Sequence, residues 1–413
     1  MITIQNRSAD KSRTFSRRTA LLVGAATSTV AVGFVMGSGV GNAATAEKFA
    51  AASKQQPSHF LSAKAGMAAK AGAVAKAATY PARWPNLVVG TYQPDESTTG
   101  LLDGCTKEAL AVRNGDWIVT VPNTIITDTL INGRLIIRAA NVQVTNCWIQ
   151  GPVAPTNANQ ALVDCTHAAV KNFIIRDSVL APQKPTYGWN AIAGHDYGAY
   201  RVNMYFCVDG GRIYNGNTGM KDAATNVIIS GCWIHDLTLF TPDPNHRNDN
   251  RTHNDGIQIE GGAGTKIIGT RIDGFYATTW PGMVKATSDP TDPAVNVWAS
   301  PHVYSASGRC IVTSCIQVTP NVGAVTGLIL DRNYFNGGAV GVNAANGSPY
   351  AGLNGGKLGT FTGNRFDHKQ GIQGGGGNKT FTIAYGAKYT LVQSGNIYGD
   401  NGAPVYVRAN QTV

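Results

Sequence analysis

Residues Arg251 to Gly262 read RTHNDGIQIEGG, so a guanidinium, an imidazole, an amide and a carboxylate stand directly ahead of an alternating apolar run. Such a cluster can move protons. Hydrolysis of a glycosidic bond needs two carboxyls flanking it, one of them kept protonated. Asp255 is the first candidate, with Asp236, Asp222 or Glu260 as its partner. Elimination needs a base to take the proton α to a uronate carboxylate and a cation to hold the developing enolate. His253 or Lys221 would be that base, and Arg251 or Arg247 that cation. Each residue also has an ordinary use. Asp255 can cap a turn ahead of a strand, and His253 can bond loop backbone. Lys221, Glu260 and Arg251 can be solvated surface. His235, Asp236, His253 and Asp255 are metal-binding types without a ligand spacing, so no metal or other cofactor is expected, and calcium has no motif behind it.

Two long inserts frame Asp255, one at Leu237–Asn254 and one at Tyr276–Gly308. Long loops inside a compact repeat are usually functional or disordered. They carry Phe240, Tyr276, Trp280, Trp298 and Tyr304. Flat apolar rings beside amides and carboxylates suit a sugar chain. Tyr276, Trp280 and Trp298, with Asn254, Gln258 and Glu260, are therefore the expected substrate-binding residues.

The elements that position these residues form a repeat. VQVTNCWI (Val142 to Ile149), FIIRDSVL, VIISGCWI, TKIIGTRI, LILDRNYF and GTFTGNRF share one register, and VNMYFCVD (Val202 to Asp209) fits except at its last position. Apolar residues take the first and third places, two polar or small residues follow, then one small residue, then an apolar one two places on. The small position reads Cys147, Ser178, Cys207, Cys232, Thr270, Asn333 and Asn364. Period-2 alternation is the strand signal. One internal register kept at uneven spacing is the mark of a solenoid with loop insertions. The expected fold is all-β, a right-handed parallel β-helix from about residue 110 to 400 with long loops over one face. The 63 residues from Thr270 to Asn333 are expected to hide two coils. Stacking DGIQI on TGMKD (Thr218 to Asp222) would set Lys221 beside Gln258 and Thr218 beside Asp255, about 4.8 Å apart. Asn190, His195 and Asp196 would lie near the same face.

Composition agrees with a turn-rich β protein: 43% hydrophobic, 14% charged and 49 Gly in 413 residues. The net charge of +10 is concentrated near the start. Residues 1–46 carry five Lys/Arg and one Asp, and residues 47–80 carry five Lys and one Glu, which leaves +2 for residues 81–413. A nucleic-acid partner is therefore not expected of the folded body. Arg17 and Arg18 precede a mildly apolar run, Thr19 to Val40, and then small residues. This resembles a twin-arginine export signal cleaved near Ala44 or Ala46. The run is too weakly apolar for lasting membrane insertion. Residues 47–80, rich in Ala, Lys and Gly, are expected to be a linker. Export after folding in a reducing compartment favours free thiols, and three of the seven Cys fall in the small column. A local Cys310–Cys315 disulfide is disfavoured for want of a disulfide framework.

WPNLVVGTYQPDE, NVQVTNCWIQGP, VIISGCWIHDL and HNDGIQIEGG resemble the secreted right-handed parallel β-helix proteins of the pectate-lyase-like superfamily found in actinobacteria, over roughly residues 81–370. The resemblance implies a secreted, monomeric protein, extracellular or bound to the cell wall, with a polysaccharide partner. It implies either a lyase or a glycoside hydrolase, or else a non-catalytic polysaccharide-binding β-helix. Hydrolases of this group use several Asp residues in separated motifs. Only Asn254-Asp255-Gly256 matches here, and neither their paired aspartates nor a pectate-lyase calcium cluster of stacked Asp is evident in the sequence.

Overall fold

The computed structural model describes residues 93–153, 160–215, 224–240, 252–277, 281, 312–338, 340–344, 356–367, 383–385, 389–399, 401–405 and 407–408. All belong to one unit, Tyr80–Val413. The export segment and linker lie outside the described residues.

The chain is a parallel β-helix. Each coil gives one short strand to each of three sheets in turn, here called A, B and C, and every strand pairs in parallel with the strands one coil away. Sheet A has ten strands from Ala111–Asn114 to Ile397–Tyr398, and sheet B ten from Trp117–Val119 to Val407–Arg408. Sheet C has nine, from Ile125–Thr127 to Tyr389–Ser394. Two coils add a short extra strand, Gly262–Ala263 paired with Val325–Thr326.

The sequence makes this shape because corners and strands call for different residues. A sharp corner takes a residue with positive φ, a conformation that Gly adopts freely and Asn or Asp tolerate. At the corner from C to A these are Asp128, Asn146, Asp177, Arg201, Gly231, Gly269, Arg332, Gly363 and Gly395. At the corner from B to C they are Asn123, Asn141, Asn172, Asp196 and Asn226, then Gly264 and Gly327. Their side chains bond from coil to coil, as when Asn141 Nδ2 donates to Asn123 Oδ1 and Asn172 Nδ2 to Asn141 Oδ1, both at 3.1 Å. Between corners the inward column of sheet A runs Ile131, Ile149, Leu180, Met204, Ile234, Ile272, Phe335 and Phe366, all fully buried. Burying each such side chain is worth about 1.5–3 kcal/mol.

The small column exists, with one member changed. Just after the corner from C to A it runs Cys147, Ser178, Val202, Cys232, Thr270, Asn333, Asn364 and Asn396, all buried. Neighbours bond along it. Cys147 N–H donates to Ser178 Oγ, Thr270 N–H to Asn333 Oδ1, Asn333 N–H to Asn364 Oδ1 and Asn364 N–H to Asn396 Oδ1. Cys207 is not in it. The sheet C strand of that coil is Tyr197–Tyr200, paired with Phe173–Arg176, and Cys207 lies past the sheet A strand Asn203–Tyr205 at the next corner. The sequence YGAY lacks the β-branched signal, so the register was read one strand late. The 63-residue interval holds one coil rather than two. Lys266–Ile268 pairs directly with Leu328–Asp331, and the extra length lies between Arg271–Gly274 of sheet A and Ser314–Val318 of sheet B.

Candidate active site

Asp255–Ile259 is the sheet B strand between Asp209–Ile213 and Ser314–Val318. Its neighbour one coil earlier is DGGRI, not TGMKD, so Arg212 rather than Lys221 stands beside Gln258. Thr218–Asp222 follows the sheet B strand of its coil and lies outside the described residues, as do Arg247, Arg251, Trp280, Trp298 and Tyr304.

The pairing builds two polar rows across the coils. One row is Asn190, Asp209, Asp255 and Ser314, where Asn190 aligns with Asp209 and Asp255 with Ser314. The other is Arg212, Gln258, Gln317 and Asn343. The rows begin at a kink held by glycines. A Cβ on Gly256 would sit 2.3 Å from Ile272 Cγ2 and 2.5 Å from the Cys315 carbonyl oxygen. A Cβ on Gly210 would sit 2.4 Å from Ile234 Cγ2. Only glycine allows so close an approach to the inward isoleucines of sheet A. An Asp-Gly dipeptide opens both of these sheet B strands, at Asp209-Gly210 and at Asp255-Gly256.

Asp209 and Asp255 are stacked carboxyls, and both are buried. The Asp255 N–H donates to Asp209 Oδ1 at 2.9 Å. Ser314 Oγ lies 2.6 Å from Asp255 Oδ1 and 3.1 Å from Gln317 Oε1. Gln317 Oε1 also accepts from Asn343 Nδ2 at 3.1 Å. Oε1 only accepts, and a hydroxyl has one proton to give. Ser314 gives that proton to Asp255 Oδ1, the shorter of its two contacts. Burial first, and the neighbouring Asp209 second, push the Asp255 carboxyl well above the ordinary carboxylate range, against the opposing Ser314 hydrogen bond. Asp209 Oδ1 accepts from the Asp255 backbone, beside an Asp255 carboxyl that holds its proton more tightly than usual.

Around this pair, Arg212 and Glu260 form a two-pronged ion pair at 3.0 and 2.9 Å. Glu260, expected to bind substrate or to serve as a second carboxyl, is committed to Arg212. Gln258 is half-buried in the row, between Arg212 and Gln317. Asn254 does not: it is fully buried, and its Nδ2 donates to the Val208 and Thr238 carbonyls at 2.8 and 2.7 Å, so it braces the corner. Tyr276 is also core rather than loop, 6% exposed and bridged in parallel to Leu237. An aromatic in a long insert looked exposed because nothing in sequence marks where sheet A ends and the insert starts. His253 is exposed between buried Thr252 and Asn254.

Asp236 is held at the sheet A side of the corner. Its φ is +46°, and His235 Nδ1 lies 2.7 Å from Asp236 Oδ2. His235 Nε2 lies 2.9 Å from Asn203 Oδ1, and the ring is stacked on Trp233 at 3.7 Å between centroids. Asn190 joins the acidic row as expected. His195 and Asp196 bond each other at 2.8 Å at the other end of the strand, at the B to C corner. Asp209, Arg212, Ser314, Gln317 and Asn343 were not foreseen. Among the described residues no three His, Cys, Asp or Glu side chains gather as a metal-ligand set. Cys315 is a free, buried thiol, while Cys310 lies outside the described residues.

Comparison with protein families, with curated proteins and with solved structures finds no match.

Proposed function

We propose that this chain is a secreted, carbohydrate-active β-helix enzyme of the pectate-lyase-like type, acting as a monomer, that cleaves a polysaccharide along the outer polar rows of sheet B. The observation that carries this is the stacked, buried Asp209–Asp255 pair, in which burial and Asp209 push the Asp255 carboxyl well above the ordinary range. Two carboxyls with environments that split their proton affinities are what acid/base cleavage of a glycosidic bond requires. Asp255 would give its proton to the leaving glycosidic oxygen as the bond from that oxygen to the anomeric carbon breaks. Asp209 would take a proton from the water whose oxygen bonds to that carbon. Arg212, Gln258, Gln317 and Asn343 would hold the chain's hydroxyls. An Arg212 committed to Glu260 is poorly placed to hold a developing enolate, so elimination is the weaker alternative.

A binding-only role is the second reading, favoured by the burial of both carboxyls. Asp255→Asn separates the two. The variant keeps the shape and most hydrogen bonds, so retention on the polymer should persist. Turnover should fall by about a hundredfold or more, within the usual range for general acid/base groups. Product analysis on a polysaccharide panel supplies the readout: new reducing ends mark hydrolysis and an unsaturated-sugar absorbance marks elimination. Normal turnover by the variant would refute the catalytic assignment. Export is tested separately, since changing both Arg17 and Arg18 to Lys should hold the precursor inside the cell.

A further inference from the structure

Burial and the neighbouring Asp209 tighten the hold of Asp255 on its proton, and the two influences that oppose them both come from Ser314, through its hydroxyl and its backbone N–H. Ser314 stands directly beside Asp255 on the next coil and is itself fully buried. Its Oγ lies 2.6 Å from Asp255 Oδ1. The other oxygen within its reach, Gln317 Oε1 at 3.1 Å, has a donor of its own in Asn343 Nδ2, also at 3.1 Å. The single hydroxyl proton is therefore free for the carboxyl. A buried carboxylate depends on such donors, and a hydrogen bond to a charged group is worth more than one between neutral groups.

Resting on the acid role proposed above for Asp255, we infer that Ser314 is the positioning residue of this acid: its hydroxyl holds Oδ1, so that the proton passed to the leaving oxygen is carried on Oδ2. In that step the Oδ2–H bond breaks and the proton bonds to the glycosidic oxygen. That oxygen keeps the electron pair of the bond it shared with the anomeric carbon. The negative charge left on Asp255 falls on a carboxylate that already accepts from Ser314. The hydroxyl thus favours the state after proton transfer over the state before it, which is the selective stabilisation that lowers a barrier. Without it, burial beside Asp209 would hold the proton too tightly for an acid working near neutral pH.

Ser314→Ala removes the donor and leaves Gln317 Oε1 with Asn343, so its effect centres on Asp255. Urea denaturation of the full chain across pH, with each protein set against its Asp255→Asn counterpart, reads where Asp255 titrates. Asp209, His253, Asp273, Cys315 and the Arg212–Glu260 pair stand near this carboxyl, and they are present in both members of every comparison, so the difference reports Ser314. The transition should move up by about one to two pH units in Ser314→Ala. Ser314→Cys, which keeps the volume with a much weaker donor, should move it the same way. With a cleaved polymer in hand, the upper limb of the kcat/KM pH profile should move by the same amount, which a merely structural serine would not cause. An unmoved transition in both variants would overturn the inference and leave the polysaccharide reading standing. A moved transition with an unmoved limb would overturn Asp255 as the proton donor. Cleavage of no polymer by the unaltered chain would overturn the enzymatic reading, and the proton delivery drawn here with it.

Discussion

Replacing Asp255 by Asn should stabilise the protein at neutral pH. In the unfolded chain this carboxyl titrates near 3.9. In the fold, burial and the adjacent Asp209 raise its pKa well above that value. The folded state therefore holds the proton more tightly than the unfolded state does. Its stabilising contribution is complete below the unfolded value and is lost as pH rises through the folded one. Across that window one proton changes stability by about 1.4 kcal/mol per pH unit. Over two units the wild type would lose about 2.7 kcal/mol relative to a variant with no proton there to lose. Because the two aspartates are stacked and interact, the window belongs to the pair. The carboxamide keeps the contacts: its NH₂ can face Ser314 Oγ, and the backbone N–H still meets Asp209. Urea denaturation of both proteins from pH 4 to 8 gives the difference curve. It should rise with pH from near zero and then level. A flat curve, or a variant less stable than wild type at pH 7, would refute the protonated-acid assignment. A change that raises stability while abolishing turnover is the expected trade at a strained functional site.

Asn364→Ala should cost about 3 kcal/mol or more, because it strands the buried Asn333 N–H and the Leu330 carbonyl bonded at 3.0 and 2.8 Å; urea unfolding checks this. Gly256→Ala should destabilise by about 1–3 kcal/mol, since the new Cβ meets the Cys315 backbone and Ile272, and wild-type stability would disprove the close packing. Burial pushes the Cys147 and Cys232 thiols up to about 12, so native alkylation followed by mass spectrometry should label Cys105 first among the six described cysteines. Labelling of Cys147 or Cys232 as fast as Cys105 would contradict their buried, coil-facing positions.

The fold was legible in the sequence because the solenoid repeats its instructions. The register in VQVTNCWI and its relatives marks a sheet C strand, a corner and a sheet A strand, and the structure keeps it in six of the seven copies. It failed at Val202–Asp209 because YGAY holds its strand by pairing with Phe173–Arg176, not by local propensity. The site was half legible. The motif singled out Asp255 and Gln258, and the structure sets both in the polar rows. Their partners came from other coils, and the inserts broke the count between them. Asp209 lies 46 residues before Asp255, and Ser314 lies 59 after it. The clue within reach was the repeated Asp-Gly of DGGRI and DGIQI, both ending in isoleucine.

The acidic pair sets two aspartates side by side on neighbouring coils. Elsewhere, stacked polar positions are satisfied by amides or hydroxyls, as in Asn333, Asn364 and Asn396, or by opposite charges, as in Asp177 with Arg201 at 2.7 Å. Two carboxylates directly opposite one another would repel, so this arrangement favours a proton on one of them. Asn at either aspartate would satisfy the same row, and Asn190 already does so one coil away. In a solenoid each coil answers mainly to its neighbours, so such a cost stays local and the remaining coils hold the fold. A buried pair of carboxyls that a single amide would relieve, set between the two longest inserts from sheet A to sheet B around it, is a local conflict of the kind that collects at functional sites. This is why the search for activity should begin at Asp209 and Asp255.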